Sequence, residues 1–248
     1  MNRPDMVSLD RGGRDKQAVA DRPMARVVET TSLTPAQRQD RSIICRTASF
    51  HPQVDAFRDL RTRLLAIAAG HNITTVVAPV SRGSGASFVA RNLAATFAFD
   101  EAHSALLIDC DLQRPSQHTT MRIDPQRGGL IDYLDDPSAD IEEMFYETGI
   151  ARLRLIPVGA TPSVDFEYFT SFRMRLLIDS LRNRYPDRYL FLDSPPVRGA
   201  PDARLLADLA DMVVLVAAYG HDTPQAIAQA AANFDPEKFA GVVFNEGV

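Results

Sequence analysis

Lysine is nearly absent from this 248-residue chain. Of its 27 basic residues only Lys16 and Lys238 are lysines, and the rest are arginines. A site that needs a lysine has only these two to draw on, one near each end. Positive charge is not in excess either: the formal net charge is −5, so the electrostatic footprint of nucleic-acid binding is missing. No apolar run approaches the roughly 18–20 residues that cross a bilayer. The stretch from Met1 to Met6 has no apolar core of a secretory signal. Cysteine is scarce, and Cys45 and Cys110 stand far apart without metal-ligand spacing. They read as reduced thiols of a cytoplasmic protein.

What is present suffices for a core: 45% of residues are apolar. The length suits one large domain, or one domain with a tail. Residues 1–41 mix both signs of charge with Pro, Gly, Ser and Thr, and read as a mostly disordered tail. A short helix is expected after Thr34 and Pro35. The tail carries eight Arg and Lys against six Asp and Glu, which suits a solvated linker or, alternatively, a docking arm. The domain is expected over 42–248.

The centre of the chain is the stretch from Ile73 to Ser87. An unbroken apolar strand (73–79) runs into a loop holding Gly83 and Gly85, then into a helix over 88–99. Backbone N–H groups of such a loop and of the helix N-terminus converge on an anion. The usual phosphate-loop pattern is G-x-x-x-x-G-K-[ST]. Here it ends Gly85, Ala86, Ser87: glycine and hydroxyl are present and the lysine is not. The candidate phosphate-contacting residues are Arg82, Gly83, Ser84, Gly85, Ala86 and Ser87.

Around this loop the sequence predicts alternating strands and helices. Strands are expected over 42–45, 105–111, 153–158, 189–193, 212–218 and 241–245. Helices are expected over 54–66, 166–184, 203–209 and 224–234, with two short ones between 128 and 146 around a break at 135–138. In the helix over 166–184, Phe169, Phe172, Leu176, Leu177, Ile178 and Leu181 form the apolar side. The alternation predicts a doubly wound α/β fold with mostly parallel strands and helices on both faces. The strand over 105–111 ends in Asp109 and Asp111. Residues i and i+2 of a strand point to one side, and ligands bind at the carboxyl ends of such strands. The strand closing on Asp193 has the Walker B arrangement, in which a carboxylate organises Mg²⁺. Asp55, Arg58 and Arg61 share a face of the 54–66 helix, as a solvated charged face or as an inter-subunit ladder. Tyr185 and Tyr189 flank a core strand and read as packing residues.

The loop, Asp109 with Asp111, Asp193 before Ser194-Pro195-Pro196, and the terminal Asn245 together resemble the bacterial tyrosine kinases of the BY-kinase type. These are P-loop ATPases related to the MinD/ParA proteins. The resemblance runs from about Val54 to Val248 and is closest to autokinases encoded with exosortase and exopolysaccharide genes. It implies ATP or ADP and Mg²⁺ as cofactors. Residues 81–87 match the Walker A loop, Asp109 and Asp111 (with Arg114 and Pro115 behind them) the second acidic motif, and Asp193 the Walker B carboxylate. By the same resemblance, Ser87, Asp109 and Asp193 hold Mg²⁺, and a carboxylate of the Asp109 and Asp111 motif is expected to activate the tyrosine hydroxyl. Asn245 stands near the adenine. Asp55, Arg58 and Arg61 match a helix that builds rings, with Asp in place of Glu. The implied partner is an integral-membrane polysaccharide co-polymerase that sets chain length, which would draw a cytoplasmic protein to the inner face of the plasma membrane.

Two departures stand out. Ala86 replaces the lysine, and loss of one such stabilising group costs about 3–4 kcal/mol, roughly 10²–10³ in rate. Arg82 is the nearest cation, four residues earlier in the loop. The family's tyrosine cluster near the C-terminus has no counterpart after Tyr219. The expectation is a regulator in exopolysaccharide assembly with a degenerate loop. An active ATP-dependent tyrosine autokinase is the first alternative. A MinD/ParA-like positioning ATPase is the second, although Ser81 stands where such a protein has its early loop lysine.

Overall fold

The computed structural model describes residues 32–44, 52–160, 167–199 and 201–246. Most of the expected tail, with Cys45, Phe166 and Val248, lies outside the described residues. The strands are β1 (Thr74–Pro79), β2 (Ser104–Asp109), β3 (Tyr146–Glu147), β4 (Leu153–Ile156), β5 (Arg188–Asp193), β6 (Met212–Ala218) and β7 (Phe239–Asn245). They form one sheet in the order β3-β4-β2-β5-β1-β6-β7. Only the β3–β4 pair is antiparallel. The continuous apolar runs of β1, β2 and β5 are buried on both faces, as parallel strands under helices require.

Eight α-helices are described: α1 (Pro35–Asp40), α2 (Pro52–Ala68), α3 (Ala86–Ala98), α4 (Gln117–Met121), α5 (Leu130–Asp135), α6 (Phe172–Arg184), α7 (Asp202–Leu209) and α8 (Pro224–Ala231). Alternation along each strand feeds two cores. Val76, Leu106, Leu190 and Leu215 pack under α5, α6, α7 and α8. Val77, Leu107, Phe191 and Val214 pack under α2 and α3. α3 is buried almost all round, with eleven of its thirteen residues inaccessible.

Three expectations change. The predicted strand over 42–45 is not in the sheet. Ser42 turns left-handed at φ 51°, and Asn92 of α3 takes the place of a strand partner. Its Oδ1 accepts from Ile44 N at 2.8 Å and its Nδ2 donates to Ser42 O at 2.9 Å. The body also takes in residues before 42: Leu33 is buried and its N–H reaches Gly149 O at 3.0 Å. α1 follows with Thr34 and Gln37 as its capping box. The helix expected from 166 starts at Phe172, because Ser171 caps it by accepting from Met174 N. Phe172 and Leu176 face solvent, whereas Met174, Leu177, Ile178 and Leu181 point inward.

Tyr189 packs its ring on Phe97 at 4.8 Å, and Phe97 meets Phe191 edge-on at 5.1 Å. Tyr185 lies under the Arg188 guanidinium at 4.0 Å. Both tyrosines are packing residues. Phe97 is fully buried where α3 meets β5. Phe97→Ala is expected to cost about 3–5 kcal/mol of stability, read as a lower urea midpoint.

Candidate functional site

The adjacent central strands β2, β5 and β1 bring their carboxyl ends together at one end of the sheet. β1 passes through Val80 into the loop and α3. Gly83 and Gly85 stand at φ 87° and 83°, a left-handed conformation that glycine adopts without strain. Gly85 is the N-cap of α3. A Cβ there would run into the Asn245 amide. That amide donates to Ser84 O at 3.1 Å, so Asn245 at the end of β7 braces the loop.

Asp109 and Asp193 are direct neighbours in the β2–β5 register, and both are fully buried. Each of their four oxygens has a donor. Asp109 Oδ1 accepts from Asp111 N at 3.3 Å. Asp109 Oδ2 accepts from Ser116 N and Gln117 N, both at 3.0 Å. Asp193 Oδ1 accepts from Ser87 Oγ at 3.2 Å and Oδ2 from Gln117 Nε2 at 2.6 Å. Burial first, and then the facing Asp193, pushes the Asp109 carboxyl up to about 8. Burial raises Asp193 to about 6. Beside the pair, burial lowers the Arg91 pKa against the pull of Asp193 and Asp109.

Asp111 corrects one expectation. β2 ends at Asp109, so strand alternation does not carry to Asp111. It lies in the turn after the strand, half-buried, with Oδ1 accepting from Arg114 N at 3.2 Å. Arg82 and Gly83 are exposed at the loop tip, whereas Ser84 and Ala86 are buried. The position of the missing lysine is thus filled by a packed methyl group. On α2, Asp55 pairs with Arg58 at 3.2 Å on an open surface. Arg61 turns inward to Asp100 at 2.9 Å and covers the Phe97 ring.

Three residues of the site were not singled out from the sequence. Gln117 and Arg91 surround the carboxylate pair. Asp222, in the loop after β6, ties the phosphate loop from below. Its side chain is 2% exposed and accepts from Ser81 Oγ, from Ser84 Oγ at 2.8 Å and from Ala218 N at 2.7 Å. Burial pulls this carboxyl upward, but the donors from Ser81, Ala218 and Ser84, with His221 beside them, hold it below the usual range. The Ser81 and Ser84 hydroxyls therefore both face the Asp222 carboxylate.

The donor chemistry suits a hard cation: Ser87 Oγ and the oxygens of Asp109 and Asp193 are the ligand type that Mg²⁺ takes. The Gln117 amide already takes one lone-pair position of Asp193 Oδ2, which leaves that oxygen fewer positions for Mg²⁺. No cluster of three or more His, Cys, Asp or Glu that could hold a metal by itself occurs among the described residues. The loop, with its left-handed glycines and the N-terminus of α3, has the shape of a phosphate cradle.

No family model matches the chain. Among curated proteins it is similar to the tyrosine-protein kinase wzc of Salmonella typhimurium, 31% identical over 199 residues, 77% of this chain and 26% of that protein. The tyrosine-protein kinase CpsD of Streptococcus agalactiae is 26% identical over 192 residues, 77% of this chain and 82% of CpsD. The chain spans less than a third of the long relatives of the wzc kind. Among solved structures, the BceF tyrosine kinase domain superposes with a TM-score of 0.68 at 28% identity, over 87% of this chain and 90% of that one. The cell division ATPase MinD of Pyrococcus furiosus shares the fold, with a TM-score of 0.54 over 69% of this chain and 70% of that one at 18% identity. The sheet is therefore that of a P-loop NTPase of the MinD/ParA kind.

An acid whose folded pKa lies above its unfolded value binds its proton more tightly when folded. Stability then falls as pH rises from about 4, the unfolded value, to about 8. Asp109→Asn is expected to flatten that fall, read as a smaller difference between urea unfolding free energies at pH 5 and pH 8. Asp222→Ala is expected to loosen the loop, with faster amide hydrogen exchange over residues 81–85 and an unchanged rate in β5.

Proposed function

We propose that the chain, a homologue of the kinase domain of bacterial tyrosine-protein kinases, is a cytoplasmic regulator in exopolysaccharide biosynthesis or export. In this reading it keeps the P-loop scaffold, binds ATP or ADP with Mg²⁺ weakly or not at all, and works by docking to an integral-membrane polysaccharide co-polymerase. One observation carries the reading. Ala86, 3% exposed, opens α3 inside a loop that is otherwise fully shaped. The buried Asp222 carboxylate beneath the loop adds negative charge where a phosphate cradle calls for positive charge.

The family supplies the chemistry that bound nucleotide would bring: transfer of a phosphoryl group, which a protein assists by positioning and charge. Here the loop N–H groups would seat the phosphates, and Asp109, Asp193 and Ser87 would hold the cation. The partner half of the reading rests on the family resemblance. No helix among the described residues is long and apolar enough to cross a membrane; in this reading the partner draws the domain to the membrane. Asp55 and Arg58, exposed on α2, are the residues this reading leaves for contact in a homo-oligomer. One observation favours the alternative of an active autokinase: Ser87 bonds Asp193, and Asp193 stands beside Asp109 in the sheet. In that case Asp109→Asn abolishes turnover.

The deciding experiment is calorimetric titration of Mg·ATP and Mg·ADP into the wild-type chain and Ala86→Lys. A charge-assisted contact contributes about 1.5–3 kcal/mol, so the lysine variant is expected to bind ATP about 10–100-fold more tightly. Equal affinities would remove the loop charge as the limiting factor. ATP-dependent tyrosine phosphorylation by the purified wild-type chain would overturn the regulatory reading.

A further inference from the structure

Arg91 is not used by the phosphate loop, yet it sits beside the carboxylates. It lies on α3, one and a half turns past Ala86, and is 4% exposed. Its NH1 donates to Gln117 Oε1 at 2.9 Å. Its Nε is buried and has no hydrogen-bond partner among the described residues. Gln117 is fully buried. Its Nε2 donates to Asp193 Oδ2 at 2.6 Å and to Ser87 O at 2.9 Å, and its backbone N–H reaches Asp109 Oδ2 at 3.0 Å. The amide of Gln117 thus joins a guanidinium to both carboxylates.

A buried guanidinium is costly unless opposite charge lies close by. The reverse holds for a buried carboxylate pair, which draws in a cation from solution when none is built in. Here a cation is built in. The two strand-end carboxylates already have a fixed positive charge near them and a Gln117 N–H donor on one oxygen of each.

We propose that Arg91 and Gln117 are positioning residues that together serve as an internal counter-cation for the Asp109–Asp193 pair, holding the carboxylates in place and weakening the site's hold on a divalent cation. The inference rests on the reading of that pair as a divalent-cation site. Arg91 then governs how far the site depends on metal, and Gln117 governs access to Asp193 Oδ2. The charge of Arg91 acts through space, whereas the amide acts by occupying a ligand position.

The test is titration of Mn²⁺ into the full chain without nucleotide, followed by the electron paramagnetic resonance signal of free Mn²⁺ and by thermal unfolding. Arg91→Met removes the charge at similar volume and is expected to bind Mn²⁺ at least about tenfold more tightly than wild type, as a Coulomb term of this kind predicts. Its unfolding midpoint should rise with added Mn²⁺ more than that of wild type. Arg91→Lys keeps the charge and loses the guanidinium geometry, so it should stay near wild type. Equal Mn²⁺ affinity in wild type and Arg91→Met, or an equal gain in Arg91→Lys, would overturn the proposal. Gln117→Met is the second variant, because it frees Asp193 Oδ2 and leaves Arg91 intact. Unchanged Mn²⁺ affinity there overturns the proposal even if Arg91→Met does not fold. Phosphotransfer is not read in this experiment. Kinase activity of the wild type would therefore refute the regulatory reading and leave this result standing. Failure of every variant to bind Mn²⁺ would refute the counter-cation and leave the nucleotide titration to judge the regulatory reading.

Discussion

Two carboxylates placed side by side at the ends of adjacent strands, out of reach of water, constrain everything around them. Each would be expensive to bury alone, and the pair repels itself. The β2–β5 register leaves no freedom to separate them. The surroundings answer with donors: the N–H groups of residues 111, 116 and 117, the Ser87 hydroxyl and the Gln117 amide. The turn after β2 must fold back to deliver those N–H groups, and α4 starts there for that reason. A continuous hydrogen-bonded link then runs from Ser87 in the first turn of α3 through Gln117 to Asp193 at the end of β5.

The loop itself separates two properties that usually come together. Its shape is set by Gly83, Gly85 and the brace of Asn245. Its charge comes from Arg82, exposed at the tip, and from the Asp222 carboxylate that Ser81 and Ser84 face, while the lysine position holds the Ala86 methyl group. The left-handed glycines turn the loop independently of either charge.

What the sequence made legible, and what it did not, follows from distance along the chain. The strands were readable as unbroken apolar runs, and Asp109 and Asp193 as their terminal carboxylates. The glycines announced the loop. Gln117, Asp222 and Arg91 were not readable, because their partners lie 76, 138 and 26 residues away and nothing local marks them. The same holds for residues 42–44, whose strand-like composition is satisfied by a side chain 48 residues on. The strand expected over 105–111 was drawn too long for a different reason: β2 stops at Asp109, and Asp111 stands in the turn beyond it, still close enough to raise the Asp193 carboxyl. Phe172 and Leu176 fit a helical stripe, yet they sit on the solvent side of α6, since periodicity finds a helix and does not say how wide its buried face is.

α3 is greased on nearly every side. Apolar packing resists separation strongly but resists sliding along the axis much less, because one methyl group replaces another at similar energy. Asn92 supplies what the grease does not. With one amide gripping Ser42 O and Ile44 N, it acts as a detent that sets where the helix stops along its own axis. The position of the loop at the start of α3 is therefore indexed in part to the 42–44 segment, and not to the sheet alone.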